Sequence, residues 1–281
     1  MQDRDPVVSA DWLLDHIEAP DLRVVDATWF PDWVASAGSA EKGYDEAHIP
    51  GAVFIDIDQL KDPESSLPHM MPSAVMFSSR MRRLGIGDGN RVVVYDRNGF
   101  FASARVWWML RVMGHDDVMV LNGGLDAWVA AGGATEDVPP AAAERHFTAR
   151  VRSDLIKNIQ QVAAASAATT SRIIDARPKG RFTGESAEPR PDLPSGHIPG
   201  SESLPHSAVL DGFGRMLARD ALAPILGDTG TPIICTCGSG VSAAVLALAF
   251  ARVGSFDAAV YDGSWSEWAS DSARPVDKGA A

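Results

Sequence analysis

The sequence predicts two α/β domains in tandem, each built on a parallel sheet that is covered by helices on both faces. The chain has 281 residues, which is about twice the common domain length and favours two domains. Short motifs in its first half return in the same order in its second half. Within each half, short β-branched runs alternate with helical patterns, and this alternation is typical of parallel sheets.

The repeated motifs indicate that one domain has been duplicated. The matched segments are 24–27 with 173–176, 48–51 with 197–200, 92–96 with 233–237, and 122–128 with 262–268. The members of each pair lie about 140 to 150 residues apart, far more than the roughly 20 to 50 residues of solenoid repeats. We therefore predict one domain at residues 1–133, a linker at 134–152 and a second domain at 153–281. The linker contains Pro139, Pro140 and several small residues, as connections between domains often do.

The individual elements follow from local patterns. Runs of β-branched apolar residues predict buried strands, and apolar residues that recur over successive turns predict helices. The predicted strands are Leu22–Asp26, Arg91–Tyr95, Val118–Leu121, Arg172–Asp175 and 232–235, and the predicted helices are 9–17, 101–113 and 240–252. Ser9 is the candidate N-cap of the first helix. Because ligands of such sheets bind where strands give way to helices, the loop after the strand at 232–235 is the place to look for a site.

Composition and charge exclude several classes of protein. The chain is 46% hydrophobic and 22% charged, as ordinary globular proteins are. With 25 Lys and Arg against 37 Asp and Glu, the formal net charge of −12 disfavours binding to nucleic acids or anionic membranes. No apolar run approaches the roughly 20 residues of a membrane span, and the first residues lack the apolar core of a secretion signal. We therefore expect a cytoplasmic protein.

The loop that begins at Cys237 reads Cys-Gly-Ser-Gly-Val-Ser and leads directly into a predicted helix. Its glycines allow a tight turn whose amide N–H groups converge on the sulfur, and the partial positive charge of the helix N-terminus favours an anion there, so the thiolate is expected to be the reacting form. Cys237 is therefore predicted to be a nucleophile, the alternative being a small buried residue beside a helix-entry turn. Cys235 lies within the strand and is predicted to pack in the core. Two cysteines this close cannot form a stabilising disulfide and cannot supply a four-ligand zinc site unaided. No metal and no cofactor are expected.

The duplicated motifs, the segment at 122–128 and the six-residue loop together resemble the tandem-domain rhodanese-type sulfurtransferases over nearly the whole chain. The resemblance implies that Cys237 accepts a sulfane sulfur from a small donor and passes it to a thiol, to cyanide or to thioredoxin. The loop amides would hold the resulting persulfide, which makes Gly238, Gly240, Val241 and Ser242 substrate-binding residues. Asp96 stands where the first domain would carry a cysteine. That domain is therefore expected to be non-catalytic and to contribute one wall of the site.

The residues after Cys237 indicate the donor. In this family, thiosulfate-using members resemble Cys-Arg-Lys-Gly-Val-Thr, and mercaptopyruvate-using members resemble Cys-Gly-Ser-Gly-Val-Thr. The present loop has the second pattern, with Ser242 in place of the threonine, and it lacks the cations that would hold a dianion. The same branch implies that Ser239, His69 and Asp58 form a relay. In such a relay the carboxylate orients the imidazole, and the imidazole withdraws a proton from the serine or from the donor thiol.

Two arginines match the family's binding residues for the donor carboxylate and keto oxygen. Arg181 and Arg190 have the forked guanidinium that suits this geometry, although seen alone they would be exposed loop cations paired with Glu185 or Glu188. We thus predict sulfur transfer from 3-mercaptopyruvate. The alternatives are sulfur transfer from thiosulfate to cyanide, and a non-catalytic persulfide relay or redox sensor. A phosphatase is disfavoured because Ala243 stands where such enzymes carry an arginine.

Several residues of the repeats are assigned to structure. His48 and His197 open the same turn in both halves, and Asp26 and Asp175 are likewise repeated and are predicted to hold loops. The tryptophans Trp107, Trp108 and Trp128 are predicted to pack in the core or between the domains.

Overall fold

The computed structural model describes residues 5–31, 33–34 and 38–280, and within these residues the strands form two five-stranded sheets, all of whose pairings are parallel. The strands of the first sheet are β1 Val7–Val8, β2 Leu22–Asp26, β3 Val53–Phe54, β4 Arg91–Tyr95 and β5 Val118–Leu121. Those of the second sheet are β6 Ile156–Lys157, β7 Arg172–Asp175, β8 Ser201–Ser203, β9 Ile233–Thr236 and β10 Ala259–Tyr261. The spatial orders are β1-β5-β4-β2-β3 and β6-β10-β9-β7-β8, so the second sheet repeats the topology of the first.

Helices connect and cover the strands of both sheets. In the first half they are α1 Ala10–His16, α2 Ala40–Glu46, α3 Ala74–Arg83, α4 Ser103–Val112 and α5 Gly124–Ala130. In the second half they are α6 Ile159–Ala168, α7 Lys179–Thr183, α8 Arg219–Leu226, α9 Val241–Arg252 and α10 Ser264–Trp268, with a 3₁₀ helix at His206–Val209. The two α/β domains predicted from the sequence are thereby confirmed. The predicted linker, residues 134–152, lies in the interval between α5 and β6.

Side-chain caps explain where several helices begin. The Ser9 side chain accepts a hydrogen bond from the backbone N–H of Trp12, which confirms the predicted N-cap of α1. At the start of α6, Asn158 and Gln161 form a reciprocal capping box. No helix in the described ranges is long and apolar enough to span a membrane.

The helices α4 and α9 join the two domains. Every residue of α4 is buried, as is α9 from Val241 to Ala251, and the two helices pack against each other. One apolar cluster therefore runs through both domains and includes Trp107 and Trp108. The Trp108 indole donates a hydrogen bond to the carbonyl of Leu155, across the domain boundary. The predicted packing role of these tryptophans is confirmed.

The repeated polar residues hold loops, as predicted. The Asp26 carboxylate accepts hydrogen bonds from the Thr28 backbone and hydroxyl, and the Asp175 carboxylate binds the Arg177 guanidinium. The His48 ring stacks on Tyr44 at 4.1 Å and the His197 ring stacks on Phe182 at 3.8 Å. The Nδ1 atom of each histidine lies within hydrogen-bond distance of the carbonyl of the residue on which it stacks.

Candidate active site

The Cys237 loop leaves the carboxyl end of β9 and enters α9 through Gly240, which has a left-handed backbone with φ of 77°. A Cβ atom at Gly240 would lie 2.8 Å from the carbonyl oxygen of Asp262 and 2.9 Å from a guanidinium nitrogen of Arg105. Both the backbone conformation and the close approach therefore require glycine.

The loop carbonyls are turned toward α10. The carbonyl of Cys237 accepts a hydrogen bond of 2.9 Å from the Trp265 N–H, and that of Gly238 accepts bonds from the backbone and hydroxyl of Ser266. Because the C=O and N–H of a trans peptide point in opposite directions, the N–H groups of Gly238 and Ser239 point away from α10. These donors are available for an anion at the carboxyl end of the sheet.

The two cysteines occupy different surroundings. Both belong to the same apolar cluster, but Cys237 stands at the carboxyl end of the strand, and the guanidinium groups of Arg181 and Arg190 lie beside the next residue, Gly238. Cys235 is fully buried in the apolar cluster, and burial raises the pKa of its thiol well above the ordinary range. The prediction that Cys235 packs in the core is confirmed.

The structure brings Asp58, His69 and Ser239 together across the domain boundary. The Nδ1 atom of His69 lies 3.0 Å from the Ser239 hydroxyl oxygen, and its Nε2 atom lies 3.2 Å from a carboxylate oxygen of Asp58. Since Asp58 only accepts, Nε2 carries a proton, and in the neutral imidazole Nδ1 is then free to accept the Ser239 hydroxyl proton. Asp58 reaches Ser239 through His69 and not directly.

Asp58 is held in its anionic form. The hydrogen bond with His69 is the largest cause that holds the pKa of Asp58 well below its ordinary value; partial burial opposes this shift, and the indole N–H of Trp29 adds to it. The Asp58 side chain is 39% exposed, with Lys61 at 3.5 Å, whereas His69 is 4% exposed. The relay therefore runs from the buried serine to a carboxylate at the surface.

The two predicted arginines lie beside Gly238, the residue that follows Cys237. A Cβ atom at Gly238 would be 3.2 Å from a guanidinium nitrogen of Arg181 and 3.7 Å from one of Arg190. Arg181 also forms a two-pronged ion pair with Glu188, so the pairing expected for an isolated loop cation is present as well. The Arg190 guanidinium carbon lies 5.4 Å from the ring centroid of Trp33, a residue of the first domain.

In the first domain, Asp96 occupies the position that corresponds to Cys237, and its carboxylate binds the backbone N–H groups of its own loop. The Asp96 carboxylate accepts hydrogen bonds from the backbone N–H groups of Asn98, Phe100, Ala102 and Ser103, at 2.9 to 3.2 Å. This cradle of amides is filled by the domain's own carboxylate. It also explains why α4 begins at Ser103, two residues later than the sequence pattern predicts.

Residues that sequence analysis missed complete the wall from the first domain. The Trp29 indole binds Asp58 and contacts the His69 ring edge-on at 5.0 Å, and Phe101 stacks on Trp29 at 5.7 Å. Arg105, fully buried in α4, donates hydrogen bonds to the backbone carbonyls of His69 and Gly240. One signal for Arg105 was available, because the two charged residues of this otherwise apolar helix, Arg105 and Arg111, require buried partners.

Within the described parts of the chain, no group of three or more His, Cys, Asp or Glu side chains is arranged to hold a metal ion.

Comparisons with known proteins agree with this architecture. A model of the rhodanese-like domain matches residues 9–131 and again residues 157–271. The chain is 39% identical to the 3-mercaptopyruvate sulfurtransferase of Escherichia coli K12 over 278 residues, which cover 96% of this chain and 97% of that protein. It is 38% identical to the thiosulfate sulfurtransferase of Gallus gallus over 272 residues, 93% of this chain and 92% of that protein. A crystal structure described as a 3-mercaptopyruvate sulfotransferase from Escherichia coli has a TM-score of 0.85 at 36% identity, and the match covers 93% and 99% of the two chains.

The chain belongs to the rhodanese-like family, with two such domains in tandem. It is a sulfurtransferase of the 3-mercaptopyruvate or thiosulfate type. The resemblance and the fold predicted from the sequence are thereby confirmed. Since the relatives carry both donor names, the choice of donor has to be argued from the chemistry of the site.

Proposed function

We propose that this protein transfers sulfur from 3-mercaptopyruvate, through a persulfide on Cys237, to a small thiol, cyanide or reduced thioredoxin, and releases pyruvate. The observation that carries the proposal is the His69 bridge between Ser239 and Asp58 beside a loop without cations at positions 238 and 239. A proton relay serves a donor that carries a thiol proton. Thiosulfate carries none, so the relay favours mercaptopyruvate.

In the first half-reaction the Cys237 thiolate attacks the donor sulfur, and the bond between that sulfur and the donor methylene carbon breaks. The electron pair of the broken bond stays on carbon as the enolate of pyruvate. Ser239 and His69 take the donor thiol proton and return one to the enolate carbon, so the products are the Cys237 persulfide anion and pyruvate. Arg181 and Arg190 hold the donor carboxylate and polarise its keto oxygen, which stabilises the enolate.

In the second half-reaction the acceptor attacks the outer sulfur of the persulfide. The sulfur–sulfur bond breaks and Cys237 leaves as a thiolate, stabilised by the loop amides of Gly238 and of the residues from Gly240 to Ser242. A thiol acceptor leaves as a persulfide, and cyanide leaves as thiocyanate. Because the enzyme alternates between thiolate and persulfide, we expect ping-pong kinetics.

Thiosulfate is the second candidate donor. The guanidinium groups of Arg181 and Arg190 beside Gly238 provide positive charge from outside the loop and can attract a dianion. The Arg181 charge is shared with Glu188, which weakens its attraction for thiosulfate. We therefore propose thiosulfate as a weaker donor at the same cysteine.

The cytoplasmic location expected from the sequence stays a prediction.

The test is the steady-state kcat/KM for each donor with cyanide as acceptor, in wild type, Cys237→Ser and Cys235→Ser. We expect a strong preference for 3-mercaptopyruvate, loss of both activities in Cys237→Ser, and retention of both in Cys235→Ser. Intact-mass measurement after exposure to donor alone should detect one added sulfur in wild type and none in Cys237→Ser. A preference for thiosulfate would refute the assignment of the donor, and absence of turnover with either donor would favour the relay or sensor alternative.

A further inference from the structure

We propose that a buried ion pair between Arg105 and Asp262, which crosses the domain boundary, positions His69 and Ser239 relative to each other. The inference rests on the proposed function, because it assigns a task to the relay named there. Arg105 and Asp262 are positioning residues and are not assigned any contact with the donor.

The ion pair is enclosed between the two domains. Arg105 lies in α4 and is fully buried, and Asp262 follows β10 in the second domain and is 2% exposed. A guanidinium nitrogen lies 2.7 Å from the Asp262 carboxylate, and the guanidinium also stacks over the Trp108 ring at 4.4 Å. A charge pair this deeply buried is costly unless its remaining hydrogen-bonding groups find partners.

The two terminal guanidinium nitrogens find such partners in backbone groups at both ends of the hydrogen bond between Ser239 and His69, whereas the Nε atom of Arg105 has none among the described residues. On one side, Arg105 donates to the carbonyl of His69 itself. On the other side, it donates at 3.3 Å to the carbonyl of Gly240, the residue that follows Ser239. A single guanidinium therefore ties the backbone beside the serine to the backbone of the histidine, although these two belong to different domains.

The second carboxylate oxygen of Asp262 completes the clamp. It accepts a hydrogen bond of 2.7 Å from the backbone N–H of Met71, two residues after His69. His69 has φ of 60°, a left-handed conformation that is unfavourable for a residue with a side chain. The pair thus binds the chain at His69 and at Met71, and these two bonds oppose the relaxation of His69 to an ordinary backbone conformation.

The inference predicts an effect that depends on the donor. A rotated or displaced His69 loses its bond to Ser239, which slows the step that takes a proton from mercaptopyruvate. The thiosulfate step has no such proton to move and should keep its rate. A pair that only stabilised the fold would affect both donors alike.

Asp262→Asn is the most direct variant. The amide has the same shape but one oxygen, so its NH₂ group must face either the Arg105 guanidinium or the Met71 N–H, and one of the two bonds is lost. We expect kcat/KM for 3-mercaptopyruvate to fall by about ten- to a hundredfold, mainly in kcat, while thiosulfate activity stays within about twofold of wild type. Arg105→Lys should act in the same direction, because an ammonium cannot reach all three acceptors, and it replaces Asp262→Asn if that variant does not fold.

Arg111→Gln is the matched control. Arg111 also lies in α4, is buried, and crosses the boundary by a 2.9 Å bond to the carbonyl of Phe256, yet no contact with His69 is found for it. It should lower Tm without changing the ratio of the two donor activities.

A double-mutant cycle with His69→Ala decides the question. If Asp262 acts through His69, Asp262→Asn should cause no further loss of mercaptopyruvate activity in the His69→Ala background. Additive losses, or equal losses with both donors, would overturn the inference. The proposed function is tested separately by His69→Ala alone: if that variant keeps full mercaptopyruvate activity, the relay itself is wrong.

Discussion

Replacing Asp58 by Asn is expected to reverse the protonation pattern of His69. One carboxylate oxygen of Asp58 faces His69 Nε2, and the other accepts from the Trp29 indole N–H. In Asp58→Asn the single amide oxygen must serve the indole, which has no acceptor capacity. The NH₂ group then faces Nε2 and forces the imidazole proton onto Nδ1, so that Nδ1 can no longer accept the Ser239 proton.

The size of the effect follows from the bond that is lost. A hydrogen bond to a charged group contributes about 1.5 to 3 kcal/mol, and because the Asp58 side chain is 39% exposed, solvent screening places it at the lower end, about 1.5 to 2 kcal/mol. This energy corresponds to a roughly ten- to thirtyfold fall in kcat/KM for 3-mercaptopyruvate, measured as pyruvate release with cyanide as acceptor. Thiosulfate activity should be nearly unchanged.

The double variant Trp29→Phe, Asp58→Asn tests the orientation argument. Without the indole N–H, the amide introduced by Asp58→Asn is free to turn its oxygen toward Nε2 and restore the protonation pattern that serves Ser239. The double variant should therefore be more active with mercaptopyruvate than Asp58→Asn alone, with Trp29→Phe as the reference. Wild-type activity in Asp58→Asn, or no recovery in the double variant, would refute the reasoning.

Three further predictions follow from the same geometry. Gly240→Ala should reduce activity with both donors by more than about tenfold, because the residue has φ of 77° and its new Cβ would lie 2.8 Å from the Asp262 carbonyl oxygen, which forces the loop to shift. Unchanged kcat/KM with both donors would contradict this. Asp96→Ala should lower the free energy of unfolding in urea by about 3 kcal/mol or more, because four backbone N–H groups lose their acceptor, and an unchanged urea midpoint would contradict it. The folded-state pKa of Asp58 lies below its ordinary value of 3.8. The bond to His69 is therefore fully present above pH 3.8, and it is lost only as the pH falls through the lowered, folded-state pKa. Protonation of Asp58 should therefore not lower the ratio of mercaptopyruvate to thiosulfate activity between about pH 5 and about pH 4. Asp58→Asn lacks this titration and is the control.

Elements with strong local patterns were predictable within one or two residues. The predicted strand at 232–235 is observed at Ile233–Thr236, and the predicted helix at 101–113 is observed at Ser103–Val112. Short strands such as Val7–Val8 and Val53–Phe54 were missed, because two residues carry no periodicity and pair only when a neighbouring strand is in place.

The sequence by itself determined the duplicated α/β architecture and the nucleophile loop, because both depend on residues that are close along the chain. Apolar periodicity specifies strands and helices, and a Gly-rich turn between them specifies a cradle of amides around Cys237. Residue types alone did not select Asp58 and His69, and it was the family resemblance that implied a relay between them and Ser239, which is 170 residues away from His69. The tertiary structure supplied the distances of that contact, and it alone revealed the contacts of Trp29 and Arg105. The physical reason is that the partner of a buried charge is selected by how α4 and α9 pack against each other, and no local pattern encodes that docking.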